Sequence, residues 1–219
     1  MTIRVSDIAV RVGDLLLDED HIRWPLAEII RWGNEAMGAI LNRHPQAFSR
    51  VSVMSLVAGT KQTIPEGGVS LLDVVRNMAA DGVTPAGAIR RSDRQQLDDA
   101  DPDWHTHKPK KAVRHYMHDD RMPTVFYVYP PVVADVKVEL VDTMLPAEVA
   151  EDDEDGEFDC RVEYTEAVVN FICYRSLSKD ADFANGQLAS GYYAAFEAAL
   201  GVKTQAQMAA SPNQPTNSV

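Results

Sequence analysis

Four histidines and three aspartates form the densest group of potential metal ligands in this 219-residue sequence. They are Asp99, Asp101, Asp103, His105, His107, His115 and His118. A His-x-His pair on a strand places two imidazoles on one face, as in some zinc and iron sites. The aspartate spacing resembles the start of an EF-hand loop, but glycine is absent at the sixth position and Lys110 occupies the twelfth. An exposed polar loop is the simpler interpretation, and a metal-dependent enzyme using His105, His107 and His118 is the alternative.

The main concentration of basic residues lies in the same region. Its members are Arg90, Arg91, Arg94, Lys108, Lys110, Lys111 and Arg114. Between residues 90 and 121, eight basic residues face seven acidic ones, so paired surface charges explain the group better than a phosphate-binding patch does. The sequence has no nucleophile elbow, no P-loop and no dinucleotide-binding glycine pattern. It therefore gives no support for catalysis and predicts no cofactor.

Acidic residues dominate the charge of the chain, which has 33 of them against 21 basic residues and a net charge of −12. Residues 135–166 alone hold 13 acidic and two basic residues. The densest run is Glu151, Asp152, Asp153, Glu154 and Asp155. A general nucleic-acid binder needs a positive face, and this distribution excludes one. The run is either a solvated loop, or an acidic surface that repels DNA or orients a basic partner.

Hydrophobic periodicity divides the chain into helical ends and a β-rich middle. Residues 1–47 predict two helices, and in the second Gly33 and Gly38 would permit close helix approach. Residues 48–145 alternate as strands do, with Pro130-Pro131 ending one strand and Ser92 or Asp93 capping a short helix. We therefore predict an α+β fold, in which a helical bundle from the N- and C-terminal helices carries a β-rich insert and an extended C-terminal tail.

The C-terminal third contains three further segments. Residues 146–162 form the acidic loop, and residues 163–201 predict a helical hairpin whose first helix, residues 165–178, is apolar around much of its circumference. One face of a core cannot bury such a helix, so contacts between subunits are expected in addition to bundle packing. The residues assigned to this packing are Val168, Phe171, Ile172, Tyr174, Leu177, Tyr192 and Phe196.

Residues 202–219 have a composition that cannot fold alone, since they are rich in Gln, Ala, Ser, Pro and Asn and almost uncharged. We predict that they form an extended tail that binds a partner. The residues assigned to this tail are Lys203, Gln205, Gln207, Met208, Pro212, Asn213, Pro215 and Val219. No apolar run in the chain approaches the roughly 18 residues that a membrane span requires, so no membrane partner is expected.

Eight sequence blocks together resemble the phage adaptor family of tailed bacteriophages, the head-to-tail connector or tail tubular A type. They are IIRWGNEA (29–36), AGTKQTIP (58–65), LDVVRNM (72–78), PDWH (102–105), DDRMP (119–123), FYVYPP (126–131), YRSLSKDA (174–181) and GYYAAF (191–196). The resemblance covers most of residues 5–201. The blocks are structural and contain no catalytic motif.

The resemblance implies a structural virion protein that forms a homo-oligomeric ring, usually a dodecamer, between the portal and the tail tube or nozzle. The helical bundle would form the ring, the C-terminal tail would reach into the portal, and the β-layer would face the tail. DNA would pass through the ring without specific binding, along an acidic wall that repels it. The family needs no cofactor, and the protein would be made in the host cytoplasm and located in the virion. A third hypothesis is an interaction module that binds a basic protein through residues 151–155.

Overall fold

The computed structural model describes residues 2–179 and 184–210, with the backbone alone for residues 202–210. These residues form five α-helices: α1 (Val5–Leu16), α2 (Leu26–Arg43), α3 (Arg94–Ala100), α4 (Thr165–Ser178) and α5 (Gly186–Ala210). They also form ten strands: β1 (Ile3–Arg4), β2 (Ser49–Ser55), β3 (Gly59–Thr63), β4 (Gly68–Met78), β5 (Pro85–Ala88), β6 (Arg90–Arg91), β7 (His115–His118), β8 (Val125–Val132), β9 (Lys137–Met144) and β10 (Glu157–Phe158).

The chain divides into two compact units. The helical unit consists of Met1–Ala47 with Pro146–Val219, and the β unit consists of Phe48–Leu145. The helical unit contains α1, α2, α4, α5 and the small sheet of β1 and β10. The β unit contains α3 and two four-stranded sheets, in the orders β2-β9-β4-β5 and β3-β8-β7-β6.

Helix α4 is the centre of the helical unit. Helices α1, α2 and α5 all contact it. Its apolar side chains are buried on every side, and Val168, Ile172 and Cys173 have no exposed surface. The indole N–H of Trp24, in the segment before α2, donates a hydrogen bond of 3.1 Å to the carbonyl of Ser176. The expectation that one chain cannot cover this helix is therefore wrong, because three helices of the same chain surround it.

The β unit is a sandwich whose two sheets share one core. Side chains from the first sheet, such as Val74 and Leu140, and from the second, such as Phe126 and Val128, belong to the same buried cluster. The strands pair antiparallel except β6 with β7, which are parallel. At the rim of the core, Asp142 has no exposed side-chain surface and pairs with Arg50 through two hydrogen bonds of 3.2 and 2.6 Å. This pairing satisfies a carboxylate that burial would otherwise destabilise.

The predicted fold class needs correction. The chain is mixed α+β, but its described residues hold three sheets of two to four strands, so a helical bundle with a β-rich insert understates the strands. Part of the strand content could not be predicted from alternation, because register shifts interrupt the pairing of β4 with β9. Strand β8 also continues through Pro130-Pro131 to Val132 rather than ending there. The end of β8 is paired on both sides: Val132 lies opposite Gly59 of β3, and the Pro131 carbonyl accepts a hydrogen bond from the Lys110 N–H at 2.8 Å.

The prediction of an extended C-terminal tail is also wrong for residues 202–210. Helix α5 does not end at Gly201 but runs to Ala210. Residues 202–210 contain Ala, Gln, Lys and Met, which are good helix formers, and one glycine inside a helix costs only about 1 kcal/mol relative to alanine. A polar composition shows that a segment has little apolar surface to bury, but it does not prevent the segment from forming a helix.

Phe158 of β10 fixes the acidic segment of the helical unit onto α2. Its ring is fully buried and sits against Gly33, where a methyl group would lie 2.1 Å from the ring atom Cζ. Strand β10 also pairs with β1, with Phe158 opposite Ile3. Gly33 therefore admits an aromatic ring from a strand rather than another helix. Gly38, by contrast, has open space where a methyl group would be.

Replacing these two glycines with alanine should have opposite effects on stability. Gly33→Ala should lower the free energy of unfolding by about 1–3 kcal/mol, because the methyl group overlaps the Phe158 ring. Gly38→Ala, in the same helix, should raise it by about 0.5–1 kcal/mol through helix propensity. Urea unfolding followed by circular dichroism measures both. Equal effects of the two substitutions would show that the Phe158 contact does not constrain α2.

Candidate interaction surfaces

The predicted acidic surface is an exposed segment that is anchored to α2. Residues 151–155 are all exposed. Glu151 accepts two hydrogen bonds of 2.9 Å from the Arg31 guanidinium. The Asn34 amide donates to the Val149 carbonyl at 2.8 Å and accepts from the Val149 N–H at 3.0 Å. The segment is therefore held at its start, rather than being a free solvated loop.

The electrostatics of this anchor follow from its geometry. The hydrogen bonds from Arg31 lower the pKa of Glu151, and the same bonds raise the pKa of Arg31. A pocket of about 350 Å³ adjoins the anchor, with Glu35 and Glu148 among its lining residues. Glu35 is itself paired with Arg175 at 2.9 Å. Three of the charged residues that line the pocket, Arg31, Glu35 and Glu151, are therefore engaged in ion pairs.

The charge of the chain is divided unequally between the two units. Residues 48–145 carry 12 basic and 13 acidic residues, so the β unit is nearly neutral. The remaining residues carry nine basic and 20 acidic residues, which gives the helical unit a net charge of −11. The negative charge of the chain is therefore a property of the helical unit, where residues 151–155 are its densest exposed run.

The residues assigned to subunit or bundle packing lie at the junction of α4 and α5. The ring centroids of Phe171 and Phe196 are 5.2 Å apart, and those of Tyr174 and Tyr193 are 4.9 Å apart. The Arg43 guanidinium lies 5.4 Å over the Phe196 ring. The other assigned side chains on α4, which are Val168, Ile172 and Leu177, are buried in the same unit, and Tyr192 is half-buried.

Burial also determines the state of the two cysteines. Cys160 and Cys173 are both buried and are not joined in a disulfide. Burial raises the pKa of the Cys173 thiol to about 12, so this thiol stays protonated at neutral pH. Burial likewise raises the pKa of Tyr192. These groups contribute packing rather than reactivity.

The residues assigned to the partner-binding tail fall in two groups. Lys203, Gln205, Gln207 and Met208 lie along the last turns of α5. Pro212, Asn213, Pro215 and Val219 lie outside the described residues. Leu200, which precedes the assigned residues on α5, is buried in the helical unit.

The four clustered histidines do not converge on one centre, although His107 and His115 both lie beside the Tyr129 ring. The His105 ring stacks on buried Trp104 at 3.7 Å, and its Nδ1 lies 2.8 Å from Thr60 Oγ1. His107 Nε2 lies 3.3 Å from Asp101, whereas His118 Nδ1 lies 3.1 Å from the Val125 carbonyl. Within residues 2–179 and 184–210, no three His, Cys, Asp or Glu side chains are placed to hold a metal ion. Among these described residues, His105, His107 and His118 thus do not come together as the metal-dependent enzyme alternative requires.

The basic residues of the β unit are exposed but spread over several elements. Arg90 and Arg91 form β6, and Arg94 lies on α3, paired with Asp98 at 3.3 Å. The Arg94 guanidinium also lies 5.6 Å over the Tyr127 ring. Asp98 in turn accepts a hydrogen bond of 2.8 Å from the Trp104 indole. Part of this group is thus bound into the packing of α3 on the sheet.

Sequence reasoning missed the residues that hold the acidic segment in place, which are Arg31, Asn34 and Phe158. Arg31 and Asn34 lie on α2, more than a hundred positions before their partners. No local spacing could show that pairing. The one available signal was Gly33, a glycine inside a strongly periodic helix, which indicates a close contact without naming the partner.

Each of the two units has its own buried residues, and the helical unit carries the exposed acidic segment. The sequence pattern of the family described as SU10 adaptor protein matches residues 3–216, nearly the whole chain. The chain therefore belongs to the SU10 adaptor protein family, and the resemblance to phage adaptors is confirmed. No curated protein matches it by sequence. Among the described residues, no helix has both the length and the apolar character that crossing a bilayer requires.

Removing the Asn34 amide should loosen the acidic segment without unfolding the helical unit. Asn34→Ala deletes both hydrogen bonds to Val149, each worth about 1 kcal/mol. We expect amide hydrogen exchange in residues 147–155 to become about tenfold faster or more. Asn42→Ala, at an exposed position of the same helix, is the control and should leave exchange there unchanged. Acceleration spread equally over α2 would contradict a local anchor.

Proposed function

We propose that this chain is a head-to-tail adaptor that forms a ring in the virion, between the portal and the tail tube or nozzle. The family match over residues 3–216 is the observation that supports this most directly. The family is one of structural adaptors, which favours a contact role over catalysis. The protein would be made in the host cytoplasm and incorporated as copies of itself around the DNA exit channel, as a dodecamer if it follows the resemblance.

The packing of α4 bears on how such a ring would form. Because the chain covers its own central helix, a single copy needs no neighbour to complete its core. Ring contacts would then form between surfaces that are already stable in water, and such contacts are weak until a partner aligns them. We expect the isolated protein to be monomeric or weakly associated, and to form its ring on the portal.

The C-terminal residues are our candidates for the portal contact. They are residues 202–219, the segment that the sequence predicts to bind a partner. Their polar, uncharged composition suits a segment that becomes ordered on binding. The lower affinity per unit area of such a segment is offset when many copies bind around one ring.

The charge of the helical unit is the support for a DNA channel. A net charge of −11 for this unit of each chain would be multiplied around a ring. DNA passing through an acidic wall is repelled at close range and does not adhere, which is what rapid ejection requires. We propose that residues 151–155 contribute to this wall.

Portal binding should depend on the end of the chain. A protein truncated after Gly201 should fold and melt within a few degrees of the full chain, yet fail to join purified portal in light-scattering and sedimentation assays. Truncation after Ala210 separates the contribution of the last nine residues from that of the end of α5. The full chain should form a large ring only when portal is present. Undiminished portal affinity after truncation at Gly201 would contradict the tail assignment.

Neutralising part of the acidic segment should make the ring bind DNA. Asp152→Asn/Glu154→Gln removes two exposed charges per chain and spares Glu151, which holds the anchor. We expect several-fold tighter binding of short duplex DNA to the portal-assembled ring, and the gain should fade as salt rises. Glu19→Gln/Asp20→Asn removes the same number of exposed charges elsewhere in the helical unit. An equal gain from this control would show that net charge matters and that residues 151–155 do not face the DNA.

A further inference from the structure

Four strands form the edges of the two sheets in the β unit, and three of them are protected against pairing with another chain. Strand β5 is short and begins with Pro85, and β6 has two residues, both arginine. Strand β3 has a register shift between Gly59 and Lys61. Short length, proline, charge and bulges are the usual devices that prevent edge pairing. The fourth edge strand, β2, is neither short nor bulged, and it contains no proline.

Strand β2 is long, regular and apolar on its exposed face. Its seven residues pair with β9 in unbroken register, and it contains no proline, glycine or lysine. Val51 is 65% exposed and Val53 is 43% exposed. Its one charged residue, Arg50, is engaged with buried Asp142. This edge therefore presents unpaired backbone groups beside two exposed valines, a combination that invites another strand.

The sequence of β2 is complementary to itself in the antiparallel direction. Residues 49, 51, 53 and 55 on the exposed face read Ser-Val-Val-Ser, which is the same in both directions. If two copies pair antiparallel about Ser52, Val51 of each copy lies opposite Val53 of the partner subunit, so the contact contains two such valine pairs. Apolar pairs of this kind, directly opposite each other, are the unit of sheet stabilisation.

The residue at the centre of that two-fold has an unsatisfied hydroxyl. Ser52 Oγ is buried, and no hydrogen-bond partner for it exists among the described residues. Residues directly opposite in an antiparallel pair have β-carbons about 4.5–5.5 Å apart, so two Ser52 hydroxyls would bond to each other after a rotation about χ1 that turns each from its buried position toward the edge. Each Ser52 hydroxyl can donate a hydrogen bond and accept one. Pairing about the two-fold therefore gives each hydroxyl the partner that it lacks in a single copy.

We propose that two copies of this chain pair through β2, antiparallel and centred on Ser52, to join their four-stranded sheets into one of eight strands. A two-fold contact of this kind closes at two copies, whereas a ring needs contacts that propagate. The dimer is therefore a form of the free protein and not the unit of a ring. A single strand pair buries less area than stable interfaces do, so the dimer is weak and depends on concentration.

The first test is the molecular mass of the full chain across a concentration series in sedimentation equilibrium. The wild type should show a monomer–dimer equilibrium. Val51→Lys/Val53→Lys places two lysines opposite each other at both positions and should raise the dissociation constant of the dimer about tenfold to thirtyfold. Val51→Lys/Val53→Glu places a lysine opposite a glutamate at both positions and should bring the dissociation constant back toward that of the wild type. Val10→Lys/Val162→Lys adds two charges at exposed valines of the helical unit and should leave the dimer intact.

The second test reports the register directly. Ser52→Cys should form a disulfide between two copies under mild oxidation, since both native cysteines are buried. Ser55→Cys alone should not, but a mixture of Ser49→Cys and Ser55→Cys proteins should form the mixed disulfide. A wild type that is monomeric at every concentration overturns the proposal, as does cross-linking of Ser55→Cys alone as efficient as that of Ser52→Cys. If the wild type is monomeric and Val51→Lys/Val53→Lys abolishes portal binding, the edge of β2 pairs with a strand of the portal instead, and the proposal is wrong.

Discussion

The burial of α4 is the constraint on which the rest of the structure depends. This helix is apolar around most of its circumference, and an amphipathic arrangement on one face of a core would leave half of it in water. Helices from both ends of the chain close around it, which brings residues 1–47 back to residues 146–210 and leaves residues 48–145 to fold as a unit of their own. Since the core is complete in one copy, association is not needed to stabilise the fold.

Several elements could be predicted from the sequence because their signals are local. The bounds of α4 follow from its dense apolar run, and α3 begins where Asp93 caps it by accepting a hydrogen bond from the Gln95 N–H. The alternation of β9 marks which of its side chains are buried. What failed was non-local: periodicity shows how apolar a helix is, but not how many neighbours surround it. Pairings such as Asn34 with Val149 have no local signature either.

The acidic segment shows how a charged run is made into a defined surface. Residues 151–155 repel one another, and such a run by itself is extended and solvated. One member, Glu151, is held by the Arg31 fork, the preceding backbone is held by Asn34, and the segment ends in the buried ring of Phe158. Three anchors on one helix and its neighbouring strand thus position the remaining carboxylates, whose mutual repulsion is tolerated because they are fully hydrated.

A protein that joins an assembly late has to keep its contact surfaces without exposing an incomplete core, because an open core would favour aggregation before the partner arrives. This chain leaves at its surface exposed carboxylates and strand edges, which tolerate water. Of these, the edge of β2 is the least protected, since backbone groups and two valines lie together there. Weak self-pairing of that edge would cover it in the free protein, and it would separate again by dilution or by competition from stronger contacts.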